Sequence, residues 1–331
     1  MKPLKSGKKP APFSKEAIAL GLDEWIRSGR EQCDVPITDT CIFDETLPLI
    51  YQPLSRTLPR SEAAEAAVRY YLSGKWRLTK VVYTADPLFL DILSESESTA
   101  LYTAILRRLP FRTFYLHCPR ARSLGLLVHV EPYENGDCLF AVGVIYKEQE
   151  ALSCSLISLT FQDGETIQQA MDHLLLDIRA GGDPFHSAML APEENRKHMR
   201  ALYAQSVTEA LFFSYYLASQ NADIRPVRSS KEYRCLRSNG TPLRIREWEI
   251  GFRTGCTITQ MYRSRSAGQP LAEPSPVGIK RPHIRRAHWH HYWTGKGRSI
   301  LVVKWLFPTI VHGDPDKLIP ISHAADIQTS I

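Results

Sequence analysis

Histidine, arginine and tryptophan residues are concentrated in one segment near the C-terminus, between positions 281 and 305. An imidazole can exchange protons, a guanidinium can bind a carboxylate or phosphate through two hydrogen bonds, and an indole can fill a pocket. No Asp or Glu lies between Arg281 and Lys304, so this segment suits an anionic polymer or an acidic peptide. The side chains that we expect to contact a partner are Arg281, His283, Arg285, Arg286, His288, Trp289, His290 and Trp293.

The spacing of these residues predicts that they form one arm of a β-hairpin. Residues 294–297, Thr-Gly-Lys-Gly, form a turn between two β-rich arms. Side chains alternate between the two faces of a strand. We therefore expect one face to carry Ile284, Arg286, His288, His290 and Tyr292, and the other His283, Arg285, Ala287, Trp289, His291 and Trp293. Both faces are polar and aromatic, which indicates that at least one is exposed to a ligand or to another chain.

Two of the histidines could also hold a metal ion. His288 and His290 lie two positions apart, which places both imidazoles on the same face of a strand. Protein zinc sites use three or four ligands, and positions 292–295 supply no further histidine, cysteine or carboxylate. We therefore expect neither a metal ion nor another cofactor.

Ribonuclease chemistry is a further alternative, because histidine can act as general acid and base while arginine binds the phosphate. Arg285 with His290, or Arg286 with His291, matches the Arg-x4-His spacing of certain helical ribonucleases. That motif requires a helix bundle, whereas this segment is predicted to be a strand. We therefore expect a binding protein rather than an enzyme, and we assign no catalytic residue.

Nucleic-acid binding is the main alternative to peptide binding. Arginine and lysine would contact phosphates while Trp289 or Trp293 stacks on bases, so RNA is a possible partner. The sequence contains no zinc-finger spacing, RNP motif or Gly-rich phosphate loop. A salt titration separates the two functions, since phosphate contacts weaken steeply with salt and aromatic peptide contacts only mildly.

The composition indicates an intracellular protein. A chain of 331 residues with 44% hydrophobic residues can bury a core without disulfides. Its seven cysteines are odd in number and include no Cys-x-x-Cys pair, which favours a reducing compartment. The first residues are lysine-rich, but no apolar stretch follows them, so we predict neither a signal peptide nor a membrane span. We expect a cytoplasmic protein without a membrane partner.

The pattern of elements predicts an α+β fold, in which an antiparallel sheet and segregated helices precede the C-terminal β-hairpin. Predicted helices cover 15–27, 61–74, 164–178 and 193–219, and predicted strands cover 78–83, 111–117, 126–130, 138–146, 151–161, 243–250 and 256–262. Glycine and proline interrupt the pattern at 180–192. We therefore expect a disordered basic tip at 1–10, an N-terminal α+β region at 11–182 and a C-terminal region at 192–331, or one continuous domain.

The run RPHIRRAHWHHYWTG, followed by VVKWLFPTIV, resembles the C-terminal signature of a family of anti-CRISPR proteins directed against type V-A systems. A weaker similarity occurs at 73–77, Ser-Gly-Lys-Trp-Arg. The signature falls on Arg281, Pro282, His283, Arg285, Arg286, His288, Trp289, His290, Trp293, Thr294, Gly295, Lys304 and Trp305. Of the nearby residues, Trp305, Pro308 and Gly295 fit core packing, a strand end and a turn.

The resemblance implies a protein of a phage, plasmid or other mobile element that lowers production of the type V-A nuclease. Members recognise the N-terminal polypeptide of the nuclease during translation and promote loss of the message. The sequence and the resemblance together lead us to expect an inhibitor that binds a nascent polypeptide. The binding surface would be the C-terminal hairpin with a neighbouring groove, through aromatic anchors and backbone pairing at an exposed strand edge.

Overall fold

The computed structural model describes residues 14–96, 100–119, 123–148, 151–179, 193–227, 234–236, 242–266 and 283–311. The predicted basic tip at 1–10 and the predicted contact residue Arg281 lie outside this part of the chain, as does the interruption at 180–192. Within it, no helix is both long enough and apolar enough to cross a lipid bilayer.

Three helices form the N-terminal layer: α1 (Lys15–Cys33), α2 (Phe43–Leu54) and α3 (Arg60–Thr79). The Ser14 hydroxyl caps α1 by accepting a hydrogen bond from the N–H of Ala17 at 3.2 Å, so the predicted start is confirmed. Helix α2 was not predicted, because Pro48 and Pro53 lie inside it and proline usually ends helices. Helix α3 continues past Gly74, which was predicted to end it.

A seven-stranded sheet packs against these helices. The order of its strands across the sheet is β5-β4-β3-β2-β1-β9-β6. Strands β2 to β5 pair antiparallel in chain order, and β3 to β5 cover the strands predicted at 126–130, 138–146 and 151–161. The sheet is mostly antiparallel, as expected, and it is parallel only at β1, which pairs with β2 and with β9. Helices α4 (Pro87–Ser94) and α5 (Thr103–Leu106) lie in the connection between β1 and β2, which gives it the length that a parallel crossover needs. The strand bounds are β1 Val81–Ala85, β2 Thr113–His117, β3 Gly125–Pro132, β4 Cys138–Glu148, β5 Ala151–Phe161, β6 Ile224–Pro226 and β9 Arg246–Ile250.

Both faces of the sheet are buried. Because side chains alternate along β2, Phe114 packs in one core while Tyr115 packs in the other. The core that contains Tyr115 lies against α1, α2 and α3. The core that contains Phe114 lies against α4, α6 (Ile167–Arg179), α7 (Glu193–Leu217) and the C-terminal hairpin. The regions before and after position 182 share this sheet, since β9 lies beside β1.

Helix α8 (Phe252–Ser266) replaces the strand that was predicted at 256–262. Its first turn is capped by Asp223, whose carboxylate accepts hydrogen bonds from the N–H groups of Arg253 at 2.9 Å and Thr254 at 3.4 Å. Gly251, with a φ of 71°, ends β9 just before it. The cap is thus supplied by a residue distant in sequence, which local patterns do not reveal. Two short strands, β7 (Arg234–Leu236) and β8 (Pro242–Arg244), form a separate antiparallel pair.

Candidate functional site

The predicted C-terminal hairpin is present. Strands β11 (His288–Thr294) and β12 (Ile300–Leu306) pair antiparallel, with Trp289 opposite Trp305 and His290 opposite Lys304. A turn that contains the short 3-10 helix Lys296–Arg298 joins them. Gly295, with a φ of 79°, begins this turn as expected, because that backbone conformation is unfavourable for residues with a Cβ.

The first arm is interrupted, whereas the sequence predicted a continuous strand. Residues Arg286 and Ala287 separate β10 (His283–Arg285) from β11, and β10 pairs with β13 (Thr309–Val311). Pro308 lies in the corresponding gap between β12 and β13, and proline has no N–H with which to continue the ladder. The β10–β13 and β11–β12 ladders are therefore two parts of one hairpin, which is interrupted near its base.

The odd-numbered side chains of the hairpin face the protein core. Trp289 is only 7% exposed and packs against Phe212 and Tyr215 of α7, with ring centroids 5.8 and 5.1 Å apart. Trp305 packs against Phe89 and donates its Nε1 hydrogen bond to the Ser96 hydroxyl at 2.9 Å. The structure thus places Trp289, which was expected at the partner surface, among core residues, and it places Trp305 there as expected.

His291 lies on the same inner face and is held by a short hydrogen-bond chain. The Tyr215 hydroxyl accepts the N–H of Tyr102 at 3.2 Å and lies 3.0 Å from Nε2 of His291. Burial lowers the pKa of His291, and the neighbouring His290 acts in the same direction. The lowered pKa favours neutral His291, whose Nε2 accepts the Tyr215 proton when the imidazole proton is on Nδ1.

The even-numbered side chains form the outward side of the hairpin, which we call the outer face: His288, His290, Tyr292, Val302 and Lys304. Of these, His290 is exposed and the others are half-buried. The His290 and Tyr292 rings are 4.1 Å apart, and the ammonium of Lys304 lies 5.4 Å from the centre of the Tyr292 ring. These contacts leave an aromatic surface with an adjacent cation, a combination suited to binding planar or anionic groups.

The predicted contact residues occupy different environments. Arg285, Arg286 and His290 are exposed, His288 is half-buried, and Trp289 is buried. Trp293 belongs to the inner-facing series but lies beyond the core, where its side chain is 55% exposed. For His283 the structure describes the backbone alone. The prediction that His288 and His290 share one face is confirmed, and the structure describes no group of three or more His, Cys, Asp or Glu residues that could hold a metal ion.

The edge of β12 that faces away from β11 is hydrogen-bonded to other parts of the protein. The main-chain carbonyl of Val303 accepts from the N–H of Gln220 at 3.0 Å, and that of Leu301 accepts from Arg108. The Asn221 side chain binds both main-chain groups of Trp305, accepting its N–H at 3.1 Å and donating to its C=O at 2.8 Å. The odd-numbered residues of β12 therefore direct their backbone groups away from β11.

The described residues leave the opposite edge of the hairpin unpaired, and we call this edge of β11 the open edge. Because the even-numbered residues of the two strands exchange the ladder hydrogen bonds, Trp289, His291 and Trp293 direct their N–H and C=O groups away from β12. Among the residues that the structure describes, none pairs with these backbone groups. An unpaired strand edge is a template for the addition of another strand.

A cleft of about 310 Å³ lies at the base of the hairpin. It is adjacent to β12, because Phe307 follows that strand and Asn221 is bound to Trp305. Phe307 is 44% exposed, and Asp223 forms an ion pair with Arg253 at 2.7 Å on the other wall. The lining residues are Asn221, Ala222, Asp223, Arg253, Thr254, Thr257 and Phe307. This cleft is in the position of the groove that we expected beside the hairpin.

Residues 73–76 of the second segment that resembles the family lie in the core between the sheet and helices α1 to α3, where they stabilise the fold. Gly74 packs so closely on Ile37 that a Cβ there would lie 2.7 Å from it. The buried ammonium of Lys75 donates to the main-chain carbonyls of Thr38 at 3.0 Å and Asp39 at 3.2 Å. The Trp76 indole donates to the carbonyl of Val81 at 2.9 Å. This motif therefore fixes the loop between α1 and α2 rather than forming part of the hairpin.

The buried histidines predict that the protein loses stability in mild acid. Burial lowers the pKa of His117, His129 and His291 in the folded state. The unfolded chain, with histidine pKa values of about 6.5, then binds protons more readily than the folded protein. The contribution of these histidines to the free energy of unfolding is therefore complete above about pH 6.5. Below that pH it falls, by at most about 1.4 kcal/mol per pH unit for each histidine.

Urea unfolding between pH 8 and pH 5 measures this dependence. The variant His129→Gln should show a shallower loss, because one buried imidazole is removed. An unfolding free energy that stays constant from pH 8 to pH 5 in the unmodified protein would contradict the assignment of these histidines as neutral groups.

The chain can now be compared with known proteins. A comparison with curated proteins gives no significant sequence match. A solved structure described as "Crystal structure of AcrVA2" superposes with a TM-score of 0.50 at 16% sequence identity, covering 90% of this chain and 95% of that one, which shows a similar fold. The model of the AcrVA2-like family, described as the anti-CRISPR type V subtype A2 family, matches residues 83–313. This match extends from β1 through the hairpin and covers more than half of the sequence, so the chain belongs to the anti-CRISPR type V subtype A2 family.

Proposed function

We propose that this chain lowers production of a target protein by binding the target's polypeptide while it is being translated in the cytoplasm. The target is a CRISPR nuclease or another nascent protein, and a cellular nuclease removes the message. The observation that carries the proposal is the hairpin of a type V subtype A2 anti-CRISPR chain, which combines an outward aromatic and cationic face with a strand edge that the described residues leave unpaired. Binding, rather than catalysis, is the role that this surface supports.

The physical character of the hairpin supports a protein partner. Arginine and aromatic side chains dominate the energetic centres of protein interfaces, because they bury large areas at low cost in conformational entropy. Arg286, His290 and Trp293 are exposed on or beside β11. The inner face is packed against α7, which makes the strand a rigid platform.

The direct test is purification of the tagged full-length protein from translating cells, with and without puromycin. The eluate is divided for mass spectrometry and RNA sequencing. We expect N-terminal fragments of one protein together with that protein's own message, and we expect puromycin to separate the two. Diverse RNA that survives puromycin, without an enriched polypeptide, would sink the proposal.

Nucleic-acid binding remains the second candidate, because Lys304 and the stacked His290–Tyr292 pair present a cationic aromatic surface. Its signature is affinity that falls steeply between 50 and 200 mM salt, by a factor of about 10³ or more if several phosphates are contacted. Peptide binding through main-chain and aromatic contacts should weaken far less over the same range.

Substitution of Arg286 or His288 by alanine should abolish knock-down of the target. Both side chains are exposed or half-buried, so the fold should be retained while affinity falls by roughly tenfold or more. Target protein and message are measured in cells by immunoblotting and quantitative PCR, and thermal unfolding confirms that each variant is folded. The control is Arg77→Ala, which removes an exposed arginine from α3 on the opposite side of the sheet. Full knock-down by both hairpin variants would exclude this surface.

A further inference from the structure

We propose that the target polypeptide binds as an extended strand along the open edge of β11, and that the hairpin selects segments with acidic side chains at alternate positions. This inference rests on the proposed function and identifies both the binding mode and the class of peptide. The atoms that would bind it are the outward N–H and C=O groups of His291 and Trp293.

The two edges of the hairpin differ in a way that favours β11. Gln220 and Asn221 already occupy the edge of β12, so a strand cannot be added there without displacing them. Strand β11 contains no lysine, proline or carboxylate, which are the residues that commonly protect an edge from pairing. Within the described part of the chain, the open edge is therefore unpaired and carries none of these protecting residues.

Charge determines which peptide would be favoured. Arg285 and Arg286 precede β11, and Lys296 and Arg298 lie in its turn, while positions 281–304 contain no carboxylate. A strand paired with β11 would place every second side chain beside the outer face, next to His290 and Tyr292, since cross-strand neighbours lie about 5 Å apart. Acidic groups at those positions would share the outer face with Lys304, whose ammonium lies 5.4 Å from the Tyr292 ring, whereas the alternate positions would lie beside Trp293 and should be apolar.

The test uses a displayed library of random 12-residue peptides, selected on the full-length protein. Each backbone amide of an enriched peptide is then N-methylated in turn, and affinity is measured by fluorescence anisotropy. We expect a loss of about tenfold at every second amide and little change between them, because only alternate amides of an added strand face β11. We also expect Asp and Glu to be enriched at alternate positions.

A matched pair of variants tests the protein side. Trp293→Pro removes the outward N–H of that residue and should weaken peptide binding, whereas Trp293→Ala removes the indole and keeps the N–H. The ladder bonds of the neighbouring Tyr292 and Thr294 are retained in both. Greater weakening by proline than by alanine, in proteins with equal melting temperatures, supports strand addition.

Other outcomes overturn the inference. These are failure to enrich any peptide, N-methylation effects without a two-residue period, enrichment of basic peptides, and self-association that Trp293→Pro abolishes.

The proposed function can fail independently of this binding mode. If puromycin-sensitive capture of a nascent chain succeeds but its peptide shows no alternation, the binding mode is wrong while the function stands. If library peptides bind the edge and no nascent chain is captured, the function is wrong.

Discussion

Replacement of Trp305 by alanine is expected to lower the free energy of unfolding by about 3–5 kcal/mol, the range for a large aromatic side chain lost from a core. Trp305 is 1% exposed and packs against Phe89 and Tyr216, with ring centroids 5.4 and 5.6 Å apart. The truncation leaves a cavity between β12, α4 and α7. It also leaves the Ser96 hydroxyl without its indole donor.

Urea unfolding followed by circular dichroism measures the effect. The matched control is Trp293→Ala on the partner strand, because Trp293 is 55% exposed and its loss should change the unfolding free energy by about 0.5 kcal/mol or less. Equal destabilisation by the two substitutions would show that the hairpin is not docked as described. Trp305→Ala should also lose target binding, since the rigid support of β11 is removed.

Replacement of Lys75 by methionine is expected to destabilise the protein by about 2–4 kcal/mol, because it removes a buried charged donor whose acceptors remain. The ammonium is 5% exposed and binds main-chain carbonyls of the loop between α1 and α2, including those of Thr38 and Asp39. Burial lowers the pKa of Lys75, and the opposite charge of Glu131 counteracts it. Glu131 would lose that attraction in the variant.

The control for Lys75→Met is Arg77→Met, which removes an exposed cation from the same helix and should have little effect on stability. Both are measured by urea unfolding. Peptide binding by the folded fraction of Lys75→Met should be unchanged, because the hairpin packs on the opposite side of the sheet. Stability equal to that of the unmodified protein would show that the loop carbonyls are satisfied by water when the ammonium is absent.

Elements whose signals lie within a few residues could be predicted from the sequence. Helix α1 begins at residue 15 as predicted, after the Ser14 cap, and β3 and β4 cover the strands predicted at 126–130 and 138–146. The alternation of side chains in β11 also follows from the sequence, since it depends only on the extended backbone. The family signature located the hairpin for the same reason: its residues are contiguous.

Elements that depend on distant residues were predicted incorrectly or missed. The helix at Phe252–Ser266 is capped by Asp223, whose backbone lies in a different loop. Helix α3 continues through Gly74 because that glycine permits close packing against Ile37. Parallel pairing of β1 with β9 joins segments far apart in the chain, and no local pattern specifies it.

The hairpin shows most clearly which features the sequence specifies and which depend on tertiary packing. Residue types and their spacing specified a β-hairpin rich in arginine, histidine and tryptophan, with two chemically similar faces. They could not specify which face is buried, because that depends on Phe212 and Tyr215 of α7. Nor could they specify which edge is open, because Asn221 closes β12 from a neighbouring loop. Tertiary packing therefore decided that Trp289 is a core residue and that the described residues pair with the edge of β12 but not with that of β11.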